Sequence, residues 1–244
     1  MKFYKALDSV KLKKYSEVDK NQFALTFYSK SGFKSSELFD KELKKKVSNF
    51  FADEKRSSLF LSKELTGLKG DFLVLRDFNK NKSEYKKYAW MKGLFANLDK
   101  YAVENAVIYA DTSHLSKDDN FLFDLAKTAE KASYRYTDTN PNTKKELILK
   151  NVSLAVESAS AAQKRVVELG YNVGSGANTA RNLGDRPANH ATPAYIANAV
   201  KGLAKDIGGF SVEILEEKDM KKLGMGCLLS VSRGSIEPAK LVTM

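Results

Sequence analysis

The amino-acid sequence predicts an α/β protein, and three features of its pattern carry that prediction. Short runs of β-branched and aromatic residues alternate with segments whose apolar residues recur every three or four positions, so strands and helices take turns along the chain. One run, Asn105-Ala106-Val107-Ile108-Tyr109-Ala110, is almost continuously apolar, the pattern of a strand covered on both faces of a parallel sheet. From Val152 the pattern changes to a long series of small residues, after which a second, smaller set of helices and strands begins.

In chain order, Phe23-Ala24-Leu25-Thr26-Phe27-Tyr28 reads as a strand. Between Ser36 and Phe51, apolar residues at 38, 39, 43, 47, 50 and 51 with lysines between them predict a helix with a basic outer face. Ser58–Leu61 and Asp71–Leu75 read as strands separated by Gly67 and Gly70. Tyr85–Leu98 is a helix, 105–110 the apolar strand, and Asn120–Tyr134 a helix again. The polar segment 137–146, with Pro141, is a loop, and Leu147-Ile148 a short edge strand. Val152, Ala155, Ala159, Ala162, Val166, Leu169, Val173, Ala177 and Ala180 fall three or four apart and predict a long connecting helix, weakened in its middle by Gly170, Gly174 and Gly176. Gly184 and Pro187 end it. Thr192-Pro193 caps the next helix, whose expected buried stripe is Ile196, Val200, Leu203 and Ile207, stopped by Gly208-Gly209. A strand at 210–215, a short helix at 217–223 ended by Gly224, and a strand from Ala239 to Met244 complete the reading. Residues 185–244 alone make a small sheet with open faces, so the expectation is a fragment of a longer protein, or a chain that needs a partner to complete that sheet.

Hydrophobic residues make up 43% of the 244 and charged residues 29%, an ordinary globular balance. No apolar run approaches the ~18 residues of a membrane span, and charges interrupt the N-terminus too often for a signal peptide. The Asn81-Lys82-Ser83 and Asn151-Val152-Ser153 glycosylation patterns are therefore read as chance matches. The single cysteine, Cys227, excludes an intrachain disulfide; it sits in an apolar run and reads as a buried, inert thiol. A reducing cytoplasmic location is expected. Residues 1–150 hold 30 basic and 21 acidic residues, and 151–244 hold 11 and 9, so the net charge of +11 sits mainly in the first part. Seven of the 41 basic residues are Arg, the usual phosphate fork, so a lysine-rich solvated surface is favoured over a nucleic-acid site.

Chemistry-bearing constellations are sparse. The acidic pairs Asp53-Glu54, Asp118-Asp119 and Glu216-Glu217 have neighbouring side chains that diverge, and surface placement is expected. His114 and His190 lack metal-ligand spacing. Cys227, His190 and Asp185 supply the residue types of a nucleophile, base and orienter, but no local pattern supports that grouping. The glycine-rich Gly170–Gly176 follows a helix and lacks a phosphate-loop ending, so helix packing explains it better. The basic stretches at Lys11–Lys14, Lys41–Lys46 and Lys86-Lys87, with Tyr15, Phe39 and Tyr88 nearby, read as solvated helical faces, with nucleic-acid binding as the alternative.

Three stretches resemble the leucyl (cytosol) aminopeptidase family of two-metal peptidases. Ala132-Ser133-Tyr134-Arg135-Tyr136 with Lys144-Lys145 is similar to the aromatic-Arg-aromatic pattern near the end of that family's N-terminal domain. Gly176–Asn189, containing Ala180-Arg181-Asn182-Leu183 and Arg186-Pro187-Ala188-Asn189 and continued by Thr192–Ala197, resembles its approach to the catalytic domain. Glu213–Gly226, ending Leu223-Gly224-Met225-Gly226, resembles a later strand and turn, followed in order by Ser230–Ser235 and Pro238. Asp185, and Ser230-Val231-Ser232-Arg233 where the family usually has Ala-Val-Gly-Gln, depart from the pattern. The resemblance implies an N-terminal macro-like α/β domain (1–148), a connecting helix (149–184) and the beginning of an aminopeptidase catalytic domain (185–244). It implies cytoplasmic homo-hexamers that release N-terminal amino acids from peptides with two divalent ions, manganese or zinc. The family's ligand motifs resemble GKGxTFDSGG and NTDAEGR; neither string occurs in the 244 residues, so no catalytic, metal or cofactor-binding residue is assigned and the chain is expected to be inactive alone.

Overall fold

The computed structural model describes residues 5–19, 22–28, 39–53, 55–56, 58–76, 83–110, 117–139 and 148–244. Among them, residues 5–135 and 148–175 form one compact unit, and residues 136–139 and 176–244 the other.

The first unit is built on a six-stranded sheet. Its strands are β1 (Ser9–Lys14), β2 (Phe23–Tyr28), β3 (Ser58–Leu61), β4 (Phe72–Arg76), β5 (Asn105–Tyr109) and β6 (Asn151–Val156), in the spatial order β1-β6-β5-β2-β4-β3. All neighbours run parallel except β3, which pairs antiparallel with β4. Side chains alternate across the sheet as the pleat requires. Leu25, Phe27, Leu73, Leu75, Ala106, Ile108, Val152 and Leu154 point to one core. Ala24, Phe72, Val74, Val107, Tyr109 and Ala155 point to the other. The first core is closed by Met91, Leu94, Phe95 and Leu98 of α3 (Glu84–Lys100) and by Phe121, Leu122, Leu125, Ala126 and Ala129 of α4 (Asp119–Ala132). Val167 and Tyr171 of α5 (Ala161–Gly184) complete it. The second core is closed by Val47 of α1 (Lys41–Phe50) with Phe39 and Phe51. The one-turn α2 (Lys63–Thr66) ends at Gly67, whose φ of 69° lies in the left-handed region.

The second unit contains the last turns of α5, then α6 (Pro193–Ile207), β7 (Glu213–Glu216), α7 (Glu217–Lys222), α8 (Gly226–Ser232) and β8 (Lys240–Thr243). β7 and β8 pair antiparallel, Glu213 opposite Thr243 and Glu216 opposite Lys240. The Thr192 hydroxyl accepts from the Tyr195 N–H at 3.2 Å, capping α6 as expected. Gly224, at φ 71°, ends the α7 turn.

Five expectations are corrected. Residues from Val152 form β6, between β1 and β5, and the long helix begins at Ala161; a strand filling the sheet outweighs the helical spacing of its residues. Lys11–Lys14 belong to edge strand β1, with Val10 and Leu12 buried and Lys11 exposed, not to a helical face. The buried line of α5 runs through Val167, Gly170-Tyr171, Gly174-Ser175, Asn178-Thr179 and Asn182, while Leu169 (56%) and Val173 (44%) are exposed. Glycines decide the face in the first turns: a Cβ at Gly170 would lie 2.4 Å from the Phe123 carbonyl oxygen, and one at Gly174 would lie 2.9 Å from the Lys127 carbonyl oxygen. On α6 the buried residues are Ala197 and Ala199, and Ile207 is exposed. The Leu147-Ile148 strand is also absent at Ile148, which is irregular; Leu147 lies outside the described residues.

Candidate functional site

Asp53 accepts the Lys55 N–H at 3.0 Å and pairs with Arg56, while Glu54 lies outside the described residues. Asp118 caps α4, accepting the Phe121 N–H at 3.1 Å. Glu216 forms an ion pair with Lys240 across β7 and β8. Glu217 accepts the Ala239 N–H at 2.8 Å, and Asp219 accepts the Glu216 N–H at 3.2 Å. Glu216, Glu217 and Asp219 thus fasten the β7–α7 turn to β8 through backbone donors and one lysine.

His190 is exposed in the turn before α6, where its backbone N–H donates to the Pro187 carbonyl at 2.9 Å; His114 lies outside the described residues. Asp185 follows the end of α5. Cys227 is exposed, contrary to the buried thiol expected from its apolar run. The run folds into α8, a helix of seven residues none of which is buried. The glycine-rich Gly170–Gly176 is helical and serves packing rather than phosphate binding. Of the basic stretches, Lys46 pairs with Glu42 and Lys87 with Asp124 at 2.7 Å. Phe39 is buried against Phe72, their ring centroids 5.0 Å apart, and has no free face for a base to stack on.

Sequence reasoning overlooked several polar anchors. Glu130 is fully buried, and its carboxylate accepts the N–H groups of Ala6 (2.5 Å) and Leu7 (2.9 Å). Its signal was an acid on the same face of α4 as Phe121, Leu122, Leu125 and Ala126. Beside it the Tyr171 hydroxyl donates to the Leu7 carbonyl at 2.7 Å. Burial first, then the charges of Glu130 and Asp8, push the Tyr171 phenol up to about 12. In the second unit Arg186 donates to Asp138 and stacks on the Tyr195 ring at 4.9 Å. Those partners stand 48 positions apart and leave no local trace. On α3 and α4, burial alone would push the Asp124 carboxyl up. Hydrogen bonds from Lys127 and Lys87 outweigh it and hold Asp124 below its ordinary value.

A two-metal hydrolytic centre needs several converging carboxylates or imidazoles. Among the described residues no group of three or more His, Cys, Asp or Glu side chains is placed to hold a metal ion. The donor set here does not fit such a centre, and no reaction step is derived through one. Among the described residues, too, no helix is long and apolar enough to cross a membrane.

Comparison with known proteins locates the chain. Residues 178–244 match the catalytic domain of the cytosol aminopeptidase family. A probable cytosol aminopeptidase of Nitrosococcus oceani is 39% identical over 123 residues, covering 49% of this chain and 25% of the relative. One from Aromatoleum aromaticum is 30% identical over 201 residues, covering 79% of this chain and 40% of the relative. Among solved structures, a mutant of tomato leucine aminopeptidase superposes with a TM-score of 0.73 at 18% identity, covering 96% of this chain and 50% of that one. A bottromycin maturation enzyme in complex with Mn gives a TM-score of 0.64 at 18% identity, covering 92% of this chain and 44% of that one. The chain therefore spans half or less of the proteins it resembles. The catalytic-domain match and the sequence relatives at 30–39% identity place the chain in the cytosol aminopeptidase family, and the structural neighbours share its α/β fold.

Proposed function

We propose that this chain serves a metal-dependent leucyl aminopeptidase, which releases N-terminal amino acids from peptides, as its N-terminal α/β domain, its connecting helix and the beginning of its catalytic domain. The observation that carries the reading is the catalytic-domain match over residues 178–244, which runs from the last turns of α5 through the capped α6 to β8. With β6 in the large sheet, the N-terminal domain extends to Val156, α5 is the connector, and 185–244 open the catalytic domain. Glu216, Glu217 and Asp219 hold turns of this last stretch together, and among the described residues no cluster of side chains is placed to hold a metal ion. The parent activity uses divalent ions such as manganese or zinc, and the protein works as a cytoplasmic homo-oligomer.

The test is hydrolysis of a leucine chromogenic amide by the purified 244-residue chain with manganese present. No turnover above buffer is expected. Sustained turnover, abolished by a chelator, would show that the ligands lie within this chain and would overturn the assignment.

A further inference from the structure

One face of α3 presents Lys92, Phe95, Ala96 and Asp99, spaced i, i+3, i+4 and i+7, toward the end of α4. Between them lies a cavity of about 170 Å³, closed on the far side by Ala132, Ser133, Arg135 and Leu149. Its floor is buried and apolar: Phe95 is 3% exposed and Leu149 2%. Its rim is charged. The Arg135 guanidinium is fixed by donating to the Ala132 and Tyr134 carbonyls at 3.1 and 2.9 Å, and it stands 3.4 Å from the Asp99 carboxylate. Lys92 is exposed at the cavity's edge.

The volume is well below the ~300–1,000 Å³ of sites that take drug-sized ligands, so a nucleotide or a peptide does not fit. An inorganic anion would meet Asp99 and gain nothing from the apolar floor. Two cations, one carboxylate and a greasy base, all within one small cavity, match a zwitterion carrying a short hydrocarbon group. We propose that this cavity is a binding site for a free α-amino acid with an aliphatic side chain. Lys92 and Arg135 take its carboxylate, Asp99 its ammonium group, and Phe95 and Leu149 its side chain. Such an amino acid is the product class of the activity proposed above, and that connection rests on that reading; the site itself does not.

The experiment is calorimetric titration of the 244-residue chain with L-leucine in the presence of a chelator, which removes any contribution from a metal centre. Parallel titrations use 4-methylpentanoate, which lacks the amine, and 3-methylbutylamine, which lacks the carboxylate. Leucine is expected to bind once per chain. Each truncated analogue should bind at least roughly tenfold more weakly, as should leucine to the Lys92→Glu variant, since each loses a charged hydrogen bond. Ala96→Trp should abolish binding by filling the cavity, while circular dichroism confirms that both variants stay folded. No saturable leucine binding, or binding that survives both substitutions, overturns the proposal. Because no catalysis is read, its failure is distinct from failure of the aminopeptidase assignment.

Discussion

The residues that matter most to this fold are polar ones placed where apolar ones would be expected. Glu130 sits in the first core with its carboxylate on two backbone N–H groups. Replacing it with alanine removes the acceptor of the buried Leu7 N–H and of the half-buried Ala6 N–H, each at a cost of about 1–3 kcal/mol. Glu130→Ala should therefore destabilise the first unit by roughly 2–5 kcal/mol in urea titration, more than a typical surface substitution. Tyr171 acts on the same segment, and its behaviour with pH follows from its shifted phenol. The folded pKa of about 12 stands above the ordinary value of 10.0, so the folded state holds its proton more tightly than the unfolded chain. That stability is present in full below pH 10 and is lost as pH rises from 10 to 12. Tyr171→Phe should cost about 1 kcal/mol at neutral pH and flatten the alkaline fall in stability over that interval, measured by denaturant midpoint against pH.

At the scale of elements, the sequence foretold most of the large sheet and its covering helices. The strands at 23–28, 58–61 and 105–109, and the helices at 84–100 and 119–132, all coincide with periodic runs or lie within two residues of them. The failures have physical causes. Val152-Ser153-Leu154-Ala155-Val156 is compatible with helical spacing, but it occupies the slot between β1 and β5, and long-range pairing outweighed local pattern. Edge strand β1 hid behind its lysines, although Val10 and Leu12 alternate with Lys11 and Lys13. The buried face of α5 was misread because closeness to α4 is set by Gly170 and Gly174 rather than by aliphatic residues. The family resemblance was legible in spaced motifs, whereas the Arg186–Asp138 pair and the cavity beside α3 depend on residues far apart in sequence. The helix packing makes a differential prediction. Gly170→Ala forces a Cβ against the Phe123 carbonyl and should destabilise by about 1–3 kcal/mol. Gly93→Ala on α3 meets nothing within 4 Å and should stabilise by up to about 1 kcal/mol through helix propensity. A pair of thermal melts separates the two signs.

For the whole molecule, the central question is where hydrolytic chemistry resides. In the first unit, an α/β body, Asp118 caps a helix, Glu130 holds backbone donors and Asp124 pairs with two lysines. The second unit carries the family match, yet its carboxylates Glu216, Glu217 and Asp219 secure a turn instead of converging. The excess positive charge of the first 150 residues further disfavours capture of divalent cations there. The most direct measurement is titration of manganese into the purified 244-residue chain, followed by the paramagnetic resonance of the free ion. The free-ion signal should rise in proportion to added metal, as in buffer alone. Loss of two equivalents of signal per chain, restored by a chelator, would contradict the account.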